Sequence, residues 1–130
     1  MMNWINLFFG AIGGVIAYIV GGIDSLLIAL LVLMIIDYIS GLIKAYSTKK
    51  LSSQVGMKGI LKKFLIVCVV VVSALCETVI GIPAIREIVL MFFVVNECLS
   101  IIENACIMGV KIPKKLQKAL EQINEEKFNG

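Results

Sequence analysis

Four stretches of this chain run for about twenty residues with few charges, the length a helix needs to cross a hydrocarbon layer roughly 30 Å thick at about 1.5 Å per residue. They cover approximately 4–20, 25–45, 60–82 and 88–108. The stretches Gly21-Gly22-Ile23-Asp24 and Pro83-Ala84-Ile85-Arg86-Glu87 carry the glycine, proline and charge of tight turns, so neighbouring helices are expected to pair as antiparallel hairpins. Composition agrees: 60% of the residues are hydrophobic and the mean hydropathy is +1.02. A chain of 130 residues cannot hide that much apolar surface behind a polar exterior, so lipid must form the exterior. The sequence predicts an all-α membrane protein, a single membrane domain over 1–130. It has about four transmembrane helices in two hairpins, a cytoplasmic loop over 46–59 and a cytoplasmic tail over 109–130.

The charges set the orientation. Lys44, Lys49, Lys50, Lys58, Lys62 and Lys63 surround the middle loop, and Lys111, Lys114, Lys115, Lys118 and Lys127 follow the last apolar run, whereas the two turns hold only Arg86. The positive-inside rule therefore places both termini of a multi-pass membrane protein in the cytoplasm. Four spans put the middle loop and the tail on one side, as these charges require; three would separate them. The competing arrangement has 88–108 lying along the interface, or entering the membrane only on assembly, because that segment carries several polar residues. The N-terminus lacks the basic start and the cleavage site of a signal peptide and is expected to be retained.

Several function classes are disfavoured. The formal charge is only +3, too weak an excess to argue for nucleic acid. Cys68, Cys76, Cys98 and Cys106 lie inside apolar runs without metal-ligand spacing, and no histidine is present, so they read as small buried hydrophobes and no metal site is expected. There is no histidine base, no Gly-x-Ser-x-Gly turn and no phosphate-cradling glycine loop, hence no expected catalytic residue or cofactor.

The informative residues are the polar ones inside the spans. A charge at mid-bilayer costs about 2.5–3.5 kcal/mol on insertion scales unless paired, protonated or wetted, which makes Asp37, Glu77, Glu97 and Glu103 call for partners. In the last apolar run Asn96, Ser100, Glu103 and Asn104 fall on one helical face, with Glu97 beside it. Counted from the cytoplasmic ends, Asp37 and Glu103 lie about 12 and 8 Å deep. Ser40 and Lys44 share the face of Asp37, so a polar seam between the second and fourth helices is expected. Two readings fit it. The polar groups either hydrogen-bond between helices as structure, or are satisfied in a small assembly and line water after rearrangement into a larger ring.

Two further patterns bear on assembly. Gly10, Gly14, Ala17 and Gly21 place a small-residue face on the first helix, of the kind that lets two backbones approach in lipid. Ile112, Leu116, Leu120 and Ile123 follow helical spacing in the tail, with Pro113 suited to the first turn. Lys114, Lys115 and Lys118 would lie close to the anionic inner leaflet and Glu121, Glu125 and Glu126 farther along, giving a short amphipathic cytoplasmic helix or a solvated tail.

Three groups of residues carry a family likeness: Asp37-Tyr-Ile-Ser-Gly-Leu-Ile-Lys-Ala45; Leu51-Ser-Ser53 with Gly56, Gly59, Lys62 and Lys63; and Asn96-Glu-Cys-Leu-Ser-Ile-Ile-Glu-Asn104 followed by Gly109, Ile112 and Pro113. With them the chain resembles the phage lysis and toxin-secretion holins of the clostridial type, small membrane proteins of Gram-positive bacteria and their phages. The resemblance spans nearly the whole chain, and its most specific part is the Asn-Glu to Glu-Asn block. It implies a homo-oligomer in the lipid bilayer that opens lesions at a set time, letting an endolysin or a toxin pass without stable binding. From the residues alone, a small proton or cation channel or transporter with an intramembrane carboxylate is the rival, and a non-conducting scaffold or holin antagonist a third reading. The expected pore or oligomer seam comprises Asp37, Ser40, Lys44, Asn96, Glu97, Ser100, Glu103 and Asn104.

Overall fold

A computed structural model describes residues 2–129, with side chains described for residues 3–123. The side chains of Glu125, Glu126 and Lys127, assigned above to the tail, lie outside the described residues, as do residues 1 and 130. The described chain is all helical: α1 (Met2–Ile19), α2 (Ser25–Ser47), α3 (Ser53–Leu75), a π-helical extension of α3 (Cys76–Ile80), α4 (Ile85–Ile107) and α5 (Lys114–Asn129).

Local chemistry sets the boundaries. Asp24 caps α2 by accepting from the Leu27 amide at 3.0 Å, and Ser52 caps α3 by accepting from the Val55 amide at 3.1 Å. That second cap starts α3 at Ser53, so residues 53–59, expected as loop, are helical and the connection shrinks to 48–52. The π-helical end of α3 closes on Gly81 in the left-handed region (φ +84), whose amide donates to Cys76 O at 3.1 Å. α4 starts at Ile85, which turns Arg86 and Glu87 from the expected turn residues into members of its first helical turn.

Packing departs from two simple hairpins. α1 approaches α3 and not α2, whereas α2 packs most extensively along α4. Contacts between Asp24 and Arg86 near their starts, and between Ser40 and Asn104 near their ends, show that α2 and α4 run in the same direction. α3 runs back between these ends, with the Tyr38 hydroxyl donating to Gly56 O at 3.2 Å. The tyrosine ring lies so close to α3 that a Cβ at Gly59 would meet it at 3.1 Å.

The core of this bundle is small: Val20, Leu27, Leu30, Met34, Ile66, Val70 and Leu90. The outside is apolar. Trp4, Phe8, Phe9, Phe64 and Val79 are each more than 60% exposed. That surface inversion is what a bilayer solvates and water does not. By length and composition two helical segments suffice to cross a membrane, Ser25–Ser47 and Ser53–Ile80, and a shorter apolar helix covers Asn3–Ile19. α5 begins directly after Pro113 and packs against the end of α4, sharing a cavity lined by Glu103, Cys106, Gln117 and Glu121.

Candidate functional site

Where α2, α3 and α4 meet, three charged side chains close on one another. The Lys63 ammonium donates to Asp37 and, at 2.6 Å, to Glu97 Oε2. Their side chains are only 16%, 12% and 5% exposed. Asn104 completes the cluster, its amide donating to Ser40 Oγ at 2.9 Å and to Asp37 Oδ1 at 3.2 Å. Ser40 in turn donates to Asp37 O at 3.0 Å. Lys63 enters from α3 because a lysine stem of four carbons can cross apolar surface and deliver its ammonium to partners deeper in the bundle. Two carboxylates on one ammonium leave the trio with a formal charge of −1, softened by the amide and hydroxyl donors.

The structure gathers some of the expected seam residues and separates others. Asp37, Ser40, Glu97 and Asn104 lie in the cluster, and Ser100 and Lys44 line the cavity that opens beside it. Asn96 and Glu103 fall outside. The inward stripe of α4 is Glu97, Ser100 and Asn104: it keeps Ser100 and Asn104 of the expected face and is rotated by part of a turn toward Glu97, which leaves Asn96 and Glu103 at its outer side. Glu103 therefore turns toward α5 and is exposed. Gly21 also leaves its expected place: α1 ends at Ile19, and Gly21 lies in the turn with φ +83. Gly10 and Gly14 face open space, and Ala17 is half-buried. The four cysteines are free thiols.

Counting residues missed two cations. Lys63 belonged to the basic loop in that count, although two carboxylates inside apolar runs require a cation, and Lys63, at the start of the third run, can reach them. Arg86, expected at a turn, is only 5% exposed and builds a second polar centre at the other end of the bundle. Its guanidinium donates to Val20 O at 2.6 Å, to Gly22 O at 2.7 Å and to Asp24 Oδ2 at 2.7 Å. This hydrogen bonding, with the Leu27 amide second, holds the Asp24 carboxyl below its ordinary value near 3.8. Gly21 is required here, because a Cβ would lie 2.6 Å from Arg86 Nε.

With this geometry in view, comparison with known proteins decides the family. The family model described as the bacteriophage holin family matches residues 14–125. The chain belongs to the bacteriophage holin family. A probable holin of Bacillus phage phi105 is 36% identical over 111 residues, which cover 85% of this chain and 82% of that protein. A 14.9 kDa protein of the nagH 3′ region of Clostridium perfringens is 37% identical over 98% of both chains. YqxH of Bacillus subtilis is 38% identical over 85% of this chain and 79% of its own. No solved structure matches. Membership, with the apolar exterior, makes this a membrane protein of the holin family.

Proposed function

We propose that this holin-family chain accumulates in the cytoplasmic membrane with four spans and both termini inside, self-assembles, and opens lesions that release a cell-wall hydrolase or a toxin. The lysine distribution supports the orientation, and family membership supports the lesion. The observation that carries the reading is the Lys63, Asp37 and Glu97 cluster, a polar network at the meeting point of three mainly apolar helices. Within one chain the network satisfies itself. When helices separate during assembly, the same groups can exchange to a neighbouring copy or to water without an apolar face entering water. Asp37, Ser40, Glu97, Ser100 and Asn104 form this seam together with Lys63, and the Gly10 and Gly14 face of α1 offers close approach to a second copy.

Induced expression in a bacterium, scored for escape of a folded cytosolic enzyme, tests this directly. Wild type releases the enzyme abruptly after a delay. Replacing Asp37, Lys63 and Glu97 together by Asn, Met and Gln shifts that delay at equal membrane abundance. Unchanged timing removes the cluster from the lesion seam. Escape of ions without protein identifies the small-channel reading instead, and no permeabilisation at all identifies a scaffold.

A further inference from the structure

Beside the cluster lies a cavity of about 350 Å³, within the range of about 300–1,000 Å³ usual for small-molecule sites. It is lined by Lys44 from the end of α2, Lys50 from the connection and Lys62 from α3. None of these three forms an ion pair among the described residues. Asp37 and Lys63 also reach this cavity, but they are already paired with each other. The free charge that the cavity offers a ligand is therefore positive. A second cavity, of about 410 Å³, shares Tyr38 and Lys63 with the first as lining residues and is lined further along α2 by Met34, Ile35 and Leu31. Apart from Lys63 its lining is apolar with the single phenol of Tyr38. Leu31 lies seven residues before Tyr38, about 10 Å deeper along the helix at 1.5 Å per residue.

A basic chamber beside an apolar groove, with two lining residues in common, has the polarity of a phospholipid. We propose that the two cavities form one site for an anionic phospholipid, its phosphate among Lys44, Lys50 and Lys62 and an acyl chain along the Leu31 to Tyr38 face of α2. Free phosphate supplies the same anion but has no use for the groove, which is why the lipid is the favoured source. Basic pockets between helices on the cytoplasmic side attract anionic headgroups on general electrostatic grounds, and the groove gives this one depth. The inference rests on the proposed orientation, with the 48–52 connection at the cytoplasmic surface, and not on lesion formation.

The test uses the full chain in neutral detergent, with native mass spectrometry and thermal unfolding read during titration with phosphatidylglycerol, phosphatidylcholine of the same acyl chains, and inorganic phosphate. One phosphatidylglycerol per chain should be retained roughly ten-fold or more tightly than phosphatidylcholine. K44Q/K50Q/K62Q should abolish that preference while phosphatidylcholine adducts persist, which also shows that the variant is folded. I35W should weaken both lipids by filling the groove. K114Q/K115Q/K118Q, which removes as much charge from the tail, should stay within about two-fold of wild type. Equal binding of the two lipids by wild type overturns the site. So does an equal loss in the tail variant, and protection by inorganic phosphate matching that by phosphatidylglycerol overturns the lipid source. Because no lysis is read, failure here is distinguishable from failure of the proposed release function.

Discussion

At the end of the bundle where α4 begins, one arginine meets one aspartate and two backbone carbonyls; about three helical turns along the bundle, one lysine meets two carboxylates, one of which also accepts from an amide. Both centres tie α4 to α2, but their partners differ in kind. Backbone carbonyls in a turn held by Gly21 cannot swing away, and the fixed fork of a guanidinium suits them. The lysine cluster consists of side chains on three separate helices, each free to rotate toward a new neighbour. The first is built as a fixed clamp on backbone atoms and the second as a junction of side chains alone, so under the proposed assembly the lysine end is the one expected to rearrange.

Lys63→Met should cause the largest change, because it leaves two buried carboxylates facing each other. Removing one partner of a buried pair costs about 3–5 kcal/mol. Unfolding in detergent, followed by circular dichroism, should show a large loss for the single variant and substantial recovery when Asp37→Asn and Glu97→Gln are added. A single variant as stable as wild type would mean that the three charges do not share one dry site.

How far counting along the sequence could go is clear at this junction. The middle loop and the second turn are shorter than counted, but the apolar runs, the first turn and the meeting of the second and fourth helices follow from residue counts and depth, since helix rise is fixed. The pairing of Asp37 with Asn104 lies close to the expected seam for that reason. The phase of α4 follows only in part: Ser100 and Asn104 point inward as expected, but a rotation of part of a turn brings Glu97, expected beside the face, to its centre and leaves Glu103 outside. Lys63 and Arg86 were hidden for another reason. Each satisfies groups on helices distant in sequence, and neither spacing nor charge counting says which helices are neighbours. The splayed position of α1 is hidden in the same way: a short turn fixes direction and does not oblige the two helices to pack.

Arg86→Met comes next in size. It strands the Val20 and Gly22 carbonyls and frees Asp24, at about 1.5–3 kcal/mol for lost hydrogen bonds to a charged group. Its acid response separates the two centres. The folded-state value of Asp24 is depressed, so the clamp's contribution is complete above the ordinary value near 3.8 and is lost only as pH falls through the lower, folded value. Thermal unfolding of wild type relative to Asp24→Asn should therefore show a constant gap from neutrality down to about pH 4 that closes below it. A gap that closes near neutrality would contradict the arginine as the cause.

A smaller effect distinguishes the two adjacent residues that counting put together. Asn104→Leu removes bonds to Ser40 and Asp37, each worth about 0.6 kcal/mol on average in membrane helices. Glu103→Leu, facing α5, should leave the junction intact. In the lysis assay, a shifted onset for Asn104→Leu alone fits the observed phase of α4, and a shift for Glu103→Leu alone would restore the phase expected from sequence.

The smallest effect on the folded chain is expected from Gly10→Ala with Gly14→Ala, since a Cβ at either position meets nothing within 4 Å. Stability should stay within about 0.5 kcal/mol of wild type. Gly21→Ala provides the contrast, because its methyl would collide with Arg86. Self-association separates the two further. If a second copy packs against the Gly10 and Gly14 face, two added methyl groups hold the backbones apart and weaken it, so cross-linking in membranes should fall although each chain folds normally. Unchanged cross-linking would move the contact between copies off α1 and onto the junction, making the lysine cluster both the lock within a chain and the surface between chains.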